Sequence, residues 1–134
     1  MTEHIELHDS TLAGLEWRGE DLVVILDPAY VHRSPVRPGI DSATGWLKTA
    51  HIVITRPHIH GSEPSFPWEL AGGAIREATK VFDNVFPVPF QHQGPIRAVF
   101  EGSDGRSLTV SGESLSASFT GAGQFLEFTP FADL

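Results

Sequence analysis

The chain has 134 residues, no cysteine, and 17 Asp and Glu against 9 Lys and Arg, giving a formal charge of −8. This length suits one domain that buries a core without staples, and the missing cysteines exclude a disulfide framework, a thiol nucleophile and a thiolate metal site. The acidic balance repels phosphate backbones and anionic lipid surfaces, so neither nucleic acid nor a membrane is an expected partner.

The first residues, Met1 to Glu6, carry no basic segment followed by an apolar one, and the longest apolar run, Leu22 to Leu26, is too short to cross a bilayer. A cytoplasmic location is the expectation. Ile5-Glu6-Leu7 is a short alternating start, and His8-Asp9-Ser10 interrupts it with residues that bond readily to nearby backbone in turns. Leu15 and Trp17 alternate up to the turn Arg18-Gly19-Glu20-Asp21. Leu22 to Leu26 then forms a continuous apolar strand, with its end expected at Pro28.

From Tyr30 to Gly45 the period is lost among Pro35, Pro38 and Gly39, which predicts a long loop, a common seat of function. Trp46 to Arg56 reads as a strand with Ile52 and Ile54 on one face and His51, Val53 and Thr55 on the other. Pro57 to Pro67 reads as a second long loop or a frayed continuation. Residues 68–84 admit two assignments. Leu70, Ala71, Ala74, Ile75, Ala78 and Phe82 fit a helical stripe, but Gly72-Gly73 would cost a helix about 2 kcal/mol, which favours two short strands broken at the glycines.

Phe86-Pro87-Val88-Pro89-Phe90 must be extended, because each proline pushes its predecessor out of the α region. Ile96, Ala98 and Phe100 alternate, Asp104-Gly105 turns the chain, and Leu108 and Val110 alternate again. After Gly112, Leu115, Ala117 and Phe119 take one parity while Ser114, Ser116 and Ser118 take the other. A strand with one buried and one wet face requires this rhythm. The fold expected is therefore mainly β: one domain over residues 1–134, an antiparallel β-sandwich or partly open β-barrel of roughly eight to ten strands with at most one or two short helices.

Several landmarks, Leu7-His8-Asp9-Ser10, Asp83-Asn84, Pro87-Val88-Pro89, Asp104-Gly105, Leu108-Thr109-Val110-Ser111-Gly112 and Phe125-Leu126-Glu127-Phe128, together resemble a group of small bacterial β-domain proteins. The resemblance implies a compact β structure and carries no catalytic residue or cofactor with it. Pro57-His58-Ile59-His60, with His92 further on, is also similar to cupin motifs. His58 and His60 match the cupin pair, whereas Glu63 follows sooner than in that family and the glycines opening both motifs are missing.

Residues two apart on an extended segment share a face, so His58 and His60 are placed to grip one divalent metal with His92 and Glu63 completing the set. The competing view makes them solvated loop residues. His8, Asp9 and Ser10 contain the types of a hydrolytic triad, but chain neighbours point apart, and a turn closed through Asp9 or Ser10 accounts for them better. Tyr30, His32, Arg33 and Arg37 form the one locally basic stretch. Arg33 and Arg37 have the forked donors to hold a carboxylate or phosphate beside the flat Tyr30 ring, or else they neutralise the chain's own carboxylates.

Three tryptophans and nine phenylalanines supply the bulk of a core, and any left exposed near Phe86 to Phe90 or Phe125 to Phe131 would mark a partner surface. No phosphate loop, dinucleotide fingerprint or His-Glu-x-x-His helix is present. The functional expectation is a non-catalytic binding module for a protein or small-molecule ligand, without a resident cofactor, compatible with a homodimer formed through an edge strand. The alternative is a cupin-like, metal-dependent enzyme built on the His cluster.

Overall fold

In the computed structural model, which describes residues 2–34 and 43–129, all regular structure is strand. The order is β1 (Thr2–Glu6), β2 (Thr11–Arg18), β3 (Asp21–Ser34), β4 (Ala43–Thr55), β5 (His58–His60), β6 (Trp68–Arg76), β7 (Val81–Asp83), β8 (Val85–Val88), β9 (Phe90–Gly102) and β10 (Ser107–Thr129). Hydrogen bonding runs β2-β6-β9-β10-β4-β3, and β3 pairs back onto β2, so these strands close an irregular, wholly antiparallel ring. Beyond the ring, β1 lies on β3 and β8 on β1, while β5 joins β10 and β7 joins β6.

The two-residue rhythm decides which side of each strand faces the interior. Ile52 of β4 sits between Val24 of β3 and Ala117 of β10, and Ile54 sits between Leu22 and Leu115. All of these side chains are buried, and with Leu12, Leu26, Phe86, Phe100 and Leu108 they form one continuous core. Each large apolar side chain removed from water there contributes roughly 1.5–3 kcal/mol. The alternate set on β10, Ser114, Ser116 and Ser118, faces outward, as the sequence pattern anticipates.

Four boundaries differ from expectation, each for a physical reason. Pro28 does not end its strand: Asp27 and Pro28 form a bulge, where a missing N–H costs the ladder nothing, and pairing resumes at Ala29 opposite Lys48. The bulge is bracketed by Thr49, whose hydroxyl donates to Asp27 Oδ1 at 3.2 Å. The loop expected over Tyr30 to Gly45 shrinks from both ends, because Tyr30–Ser34 pairs with β1 and residues 43–45 pair with β10.

Gly72-Gly73 does not separate two strands either. Both lie inside β6 beside a register shift at Ala71, and the break falls at residues 77–80. Gly112 is likewise internal to β10, where a Cβ would collide with Ile54 Cγ2 and Thr55 O. Pro57–Pro67 contains the short strand β5 and is otherwise irregular.

The Asp104-Gly105 turn is pinned by Asp104 Oδ1, which accepts the Arg106 N–H at 3.0 Å and the Trp68 Nε1–H at 3.2 Å. These donors hold the Asp104 carboxyl below the usual carboxylate range, the Arg106 N–H having the larger effect. The Trp68 ring lies across Gly102 where a Cβ would stand.

Close backbone approach also explains Gly73. A Cβ there would overlap the Val99 carbonyl oxygen and come within 2.9 Å of Leu7 Cδ1. Gly73→Ala should therefore destabilise the fold by roughly 1–3 kcal/mol, the usual cost of overpacking, while Gly14→Ala, with open space around it and no left-handed φ, should cost less. Urea unfolding of both variants measures the difference, and equal midpoints would contradict the packing argument.

Candidate functional site

The turn between β1 and β2 is densely hydrogen-bonded. Ser10 is buried, its hydroxyl donates to the Glu6 carbonyl at 2.6 Å, and it accepts the Tyr30 N–H at 2.9 Å. Its backbone N–H donates to Leu7 O at 3.0 Å and its carbonyl accepts the Leu70 N–H at 3.0 Å. Asn84 braces the corner from outside, accepting the His8 N–H on Oδ1 and the Leu7 N–H on its carbonyl, both at 2.8 Å. Asp9 and Asn84 adopt φ of 74° and 66°, the left-handed region that Asp and Asn tolerate best.

These contacts settle the local role of His8-Asp9-Ser10. The Ser10 hydroxyl spends its proton on a carbonyl and its lone pair on an amide, while His8 and Asp9 pair with each other at 3.2 Å on the exposed side. The Leu7-His8-Asp9-Ser10 and Asp83-Asn84 landmarks thus belong to one structural clamp.

Tyr30 and Arg33 separate across the sheet. Residues three apart on a strand face opposite sides, so Tyr30 packs edge-on against His32, ring centroids 5.0 Å apart, while Arg33 turns toward the inner face at the end of the ring. There its Nη2 lies 3.3 Å from Glu3 Oε2, and its guanidinium lies 4.0 Å over the Trp46 ring. Arg37 lies outside the described residues.

Lys48 reaches the same Glu3 oxygen at 2.7 Å with only 9% of its side chain exposed, and its ammonium lies 4.6 Å from the Phe119 ring centroid. Trp46 Nε1 donates to Thr44 Oγ1 at 2.7 Å, and Phe125 packs edge-on against Trp46 at 5.5 Å. Among the described residues, one carboxylate, Glu3, serves both cations amid aromatic rings. Phe125 and Leu126 nevertheless remain 43% and 46% exposed.

The histidines of the metal expectation are dispersed. His58 and His60 share the exposed face of β5, and His60 Nε2 lies 3.5 Å from Ser111 Oγ. His92, on β9, pairs through Nδ1 with Glu77 Oε2 at 3.2 Å. Glu63 is exposed in the segment after β5. Among the described residues, no three His, Cys, Asp or Glu side chains stand together as a metal-holding group.

Sequence reasoning passed over a second cluster on the outer face of β1 and β3. His32 Nε2 is 2.9 Å from Glu6 Oε2, and the neighbouring His4 has a buried Nδ1 with no hydrogen-bond partner. Burial, and then the nearby His32, holds the His4 pKa below its ordinary value of 6.5. Two-residue spacing puts His4 and Glu6 on one face of β1, but only the β1–β3 register brings His32 to them. Comparison with protein-family models, curated proteins and solved structures finds no match.

Two outcomes follow. Ser10→Ala leaves the Tyr30 N–H buried without its acceptor and should cost roughly 1–3 kcal/mol, whereas Asp9→Asn should be nearly neutral; thermal unfolding distinguishes them. For His4, the unfolded chain takes up a proton near pH 6.5 while the folded chain resists until lower pH, so stability falls as pH drops below about 6.5. His4→Gln should flatten that slope between about pH 7 and 5 in urea titrations, and an unchanged slope would refute the assignment.

Proposed function

We propose that this chain is a non-catalytic binding module and that its contact surface is the end of the ring where β1, β3, β4 and β10 meet. One observation carries the proposal: Phe125 and Leu126 stay exposed directly beside the Arg33–Trp46 stack. Aromatic rings and arginine concentrate at the centres of protein interfaces, because they offer large contact area with few rotamers to freeze. The Glu3 network holds Arg33 and Lys48 in place before any partner arrives, which lowers the ordering cost of binding. Arg33 and Lys48, which share the single carboxylate of Glu3 among the described residues, favour a partner that brings an apolar group flanked by an acidic one.

The test is a comparison of the intact protein with Phe125→Ser/Leu126→Ser. Cross-linking and affinity capture from cells of origin should recover a defined partner with the former and lose it, about tenfold or more, with the latter. Circular dichroism should stay unchanged, and the unfolding midpoint should fall only modestly, because Phe125 loses its edge contact with Trp46 while both side chains are already 43% and 46% exposed. Equal capture by the two proteins would remove this surface from consideration. If the partner is a second copy, sedimentation will show a dimer that the double variant abolishes.

A further inference from the structure

Four strands align one residue each into a row. Arg76 of β6 stands opposite Arg97 of β9, Arg97 opposite Ser111 of β10, and Ser111 opposite His58 of β5. Residues opposed on adjacent antiparallel strands point to the same face, so these side chains stand side by side on the outside of the ring. His60 shares the face, with its Nε2 3.5 Å from Ser111 Oγ. Arg76 and Arg97 are both exposed, and together with Glu77, Pro95 and Ser111 they line a cleft of about 290 Å³.

Like charges directly opposite each other weaken a sheet. The chain has carboxylates in surplus and places them on its other described arginines: Arg18 with Glu16, Arg33 with Glu3, Arg56 with Glu20 and Glu113, and Arg106 with Asp104. Among the described residues, Arg76 and Arg97 are the two arginines without an ion pair. The carboxylate that lines the cleft, Glu77, is engaged by His92 at 3.2 Å. Asp83 and Glu101 line an adjoining cleft that Arg76 also borders, and neither forms an ion pair with it.

We infer that this row is a binding site for a compact, doubly charged oxyanion, namely the phosphate group of a small molecule. Two guanidinium forks supply the charge and the planar donor geometry that phosphate oxygens accept, Ser111 adds a hydroxyl, and His60 lies where it can orient that hydroxyl. The net charge of −8 opposes a long polyanion, so a local site of this kind selects a small ligand over a nucleic-acid backbone. The cleft volume, at the lower limit of ligand pockets, agrees with a headgroup and a few attached atoms. This site is separate from the ring-end surface and does not depend on it.

The test is titration of the isotope-labelled protein with inorganic phosphate and, separately, with O-phosphoserine at low salt, followed by amide and arginine Nε–H resonances. Saturable shifts centred on Arg76, Arg97, Ser111 and His58 are expected. Arg76→Gln/Arg97→Gln should weaken binding about tenfold or more, and Arg97→Lys, which keeps the charge but loses the fork, should fall between. Arg18→Gln, removing an arginine already paired, should leave binding intact.

Melting supplies a second readout of opposite sign. Without phosphate, Arg97→Gln should raise the melting temperature by roughly 1–4 °C by relieving the like-charge pair, while phosphate should raise it only in the intact protein. Binding of both probes assigns the site to phosphate esters; binding of inorganic phosphate alone would overturn the ester and leave a free-anion site. Shifts that are absent, spread evenly over the surface, or undiminished in the double variant would overturn the site itself.

Discussion

The closure of the sheet is anchored at one residue, Ser10, through both its hydroxyl and its backbone. A sheet that closes on itself must satisfy its last pair of edges, and here the closing seam between β2 and β6 consists of only Thr11 opposite Glu69 and Leu12 opposite Trp68. So short a ladder cannot hold two edges together unaided. Ser10, immediately before the seam, ties the corner to Glu6 through its side chain, receives the Tyr30 N–H from β3, and offers its carbonyl to Leu70 of β6. On the opposite edge of β6, the Ser103 N–H donates to Glu69 O at 2.9 Å and extends the β6–β9 pairing past Gly102. Three elements therefore meet at one buried residue.

With the seam held, the remaining architecture follows from register. A slip of one residue between β1 and β3 would turn Glu3 outward and drive Thr2 and His4 toward the core. Glu3 would then abandon Arg33 and Lys48, leaving two poorly solvated cations unopposed, a loss of several kcal/mol when charges lack partners. The ion network at the ring end thus does for β1 what Val24, Ile52 and Ala117 do further along. It permits only one alignment.

How much of this is legible in the sequence divides along one physical line. Properties carried within a strand can be read: the alternation of Leu115, Ala117 and Phe119 against three serines marks the buried face, and the Asp104-Gly105 turn falls where its residues require. Glycine and proline mislead because in sequence they look like punctuation. Gly73 and Gly112 are internal to strands and make room for the neighbouring backbone carbonyls, and Pro28 sits in a bulge that a long strand passes through. Nothing local distinguishes a glycine that ends a strand from one over which another strand must pass.

The same line separates the candidate sites. Spacing correctly puts His58 and His60 on one face, because two-residue periodicity is a property of one strand. It cannot say that His92 belongs with Glu77, or that Tyr30 and Arg33, close in sequence, are divided by the sheet. Chemistry on an antiparallel ring is written across strands, in rows such as Arg76, Arg97, Ser111 and His58, whose members are distant in the chain. Such rows exist only while every intervening register holds. The hydroxyl that closes the corner and the arginines that remain unpaired are therefore parts of one design: the first fixes the alignments, and the second are what those alignments bring together.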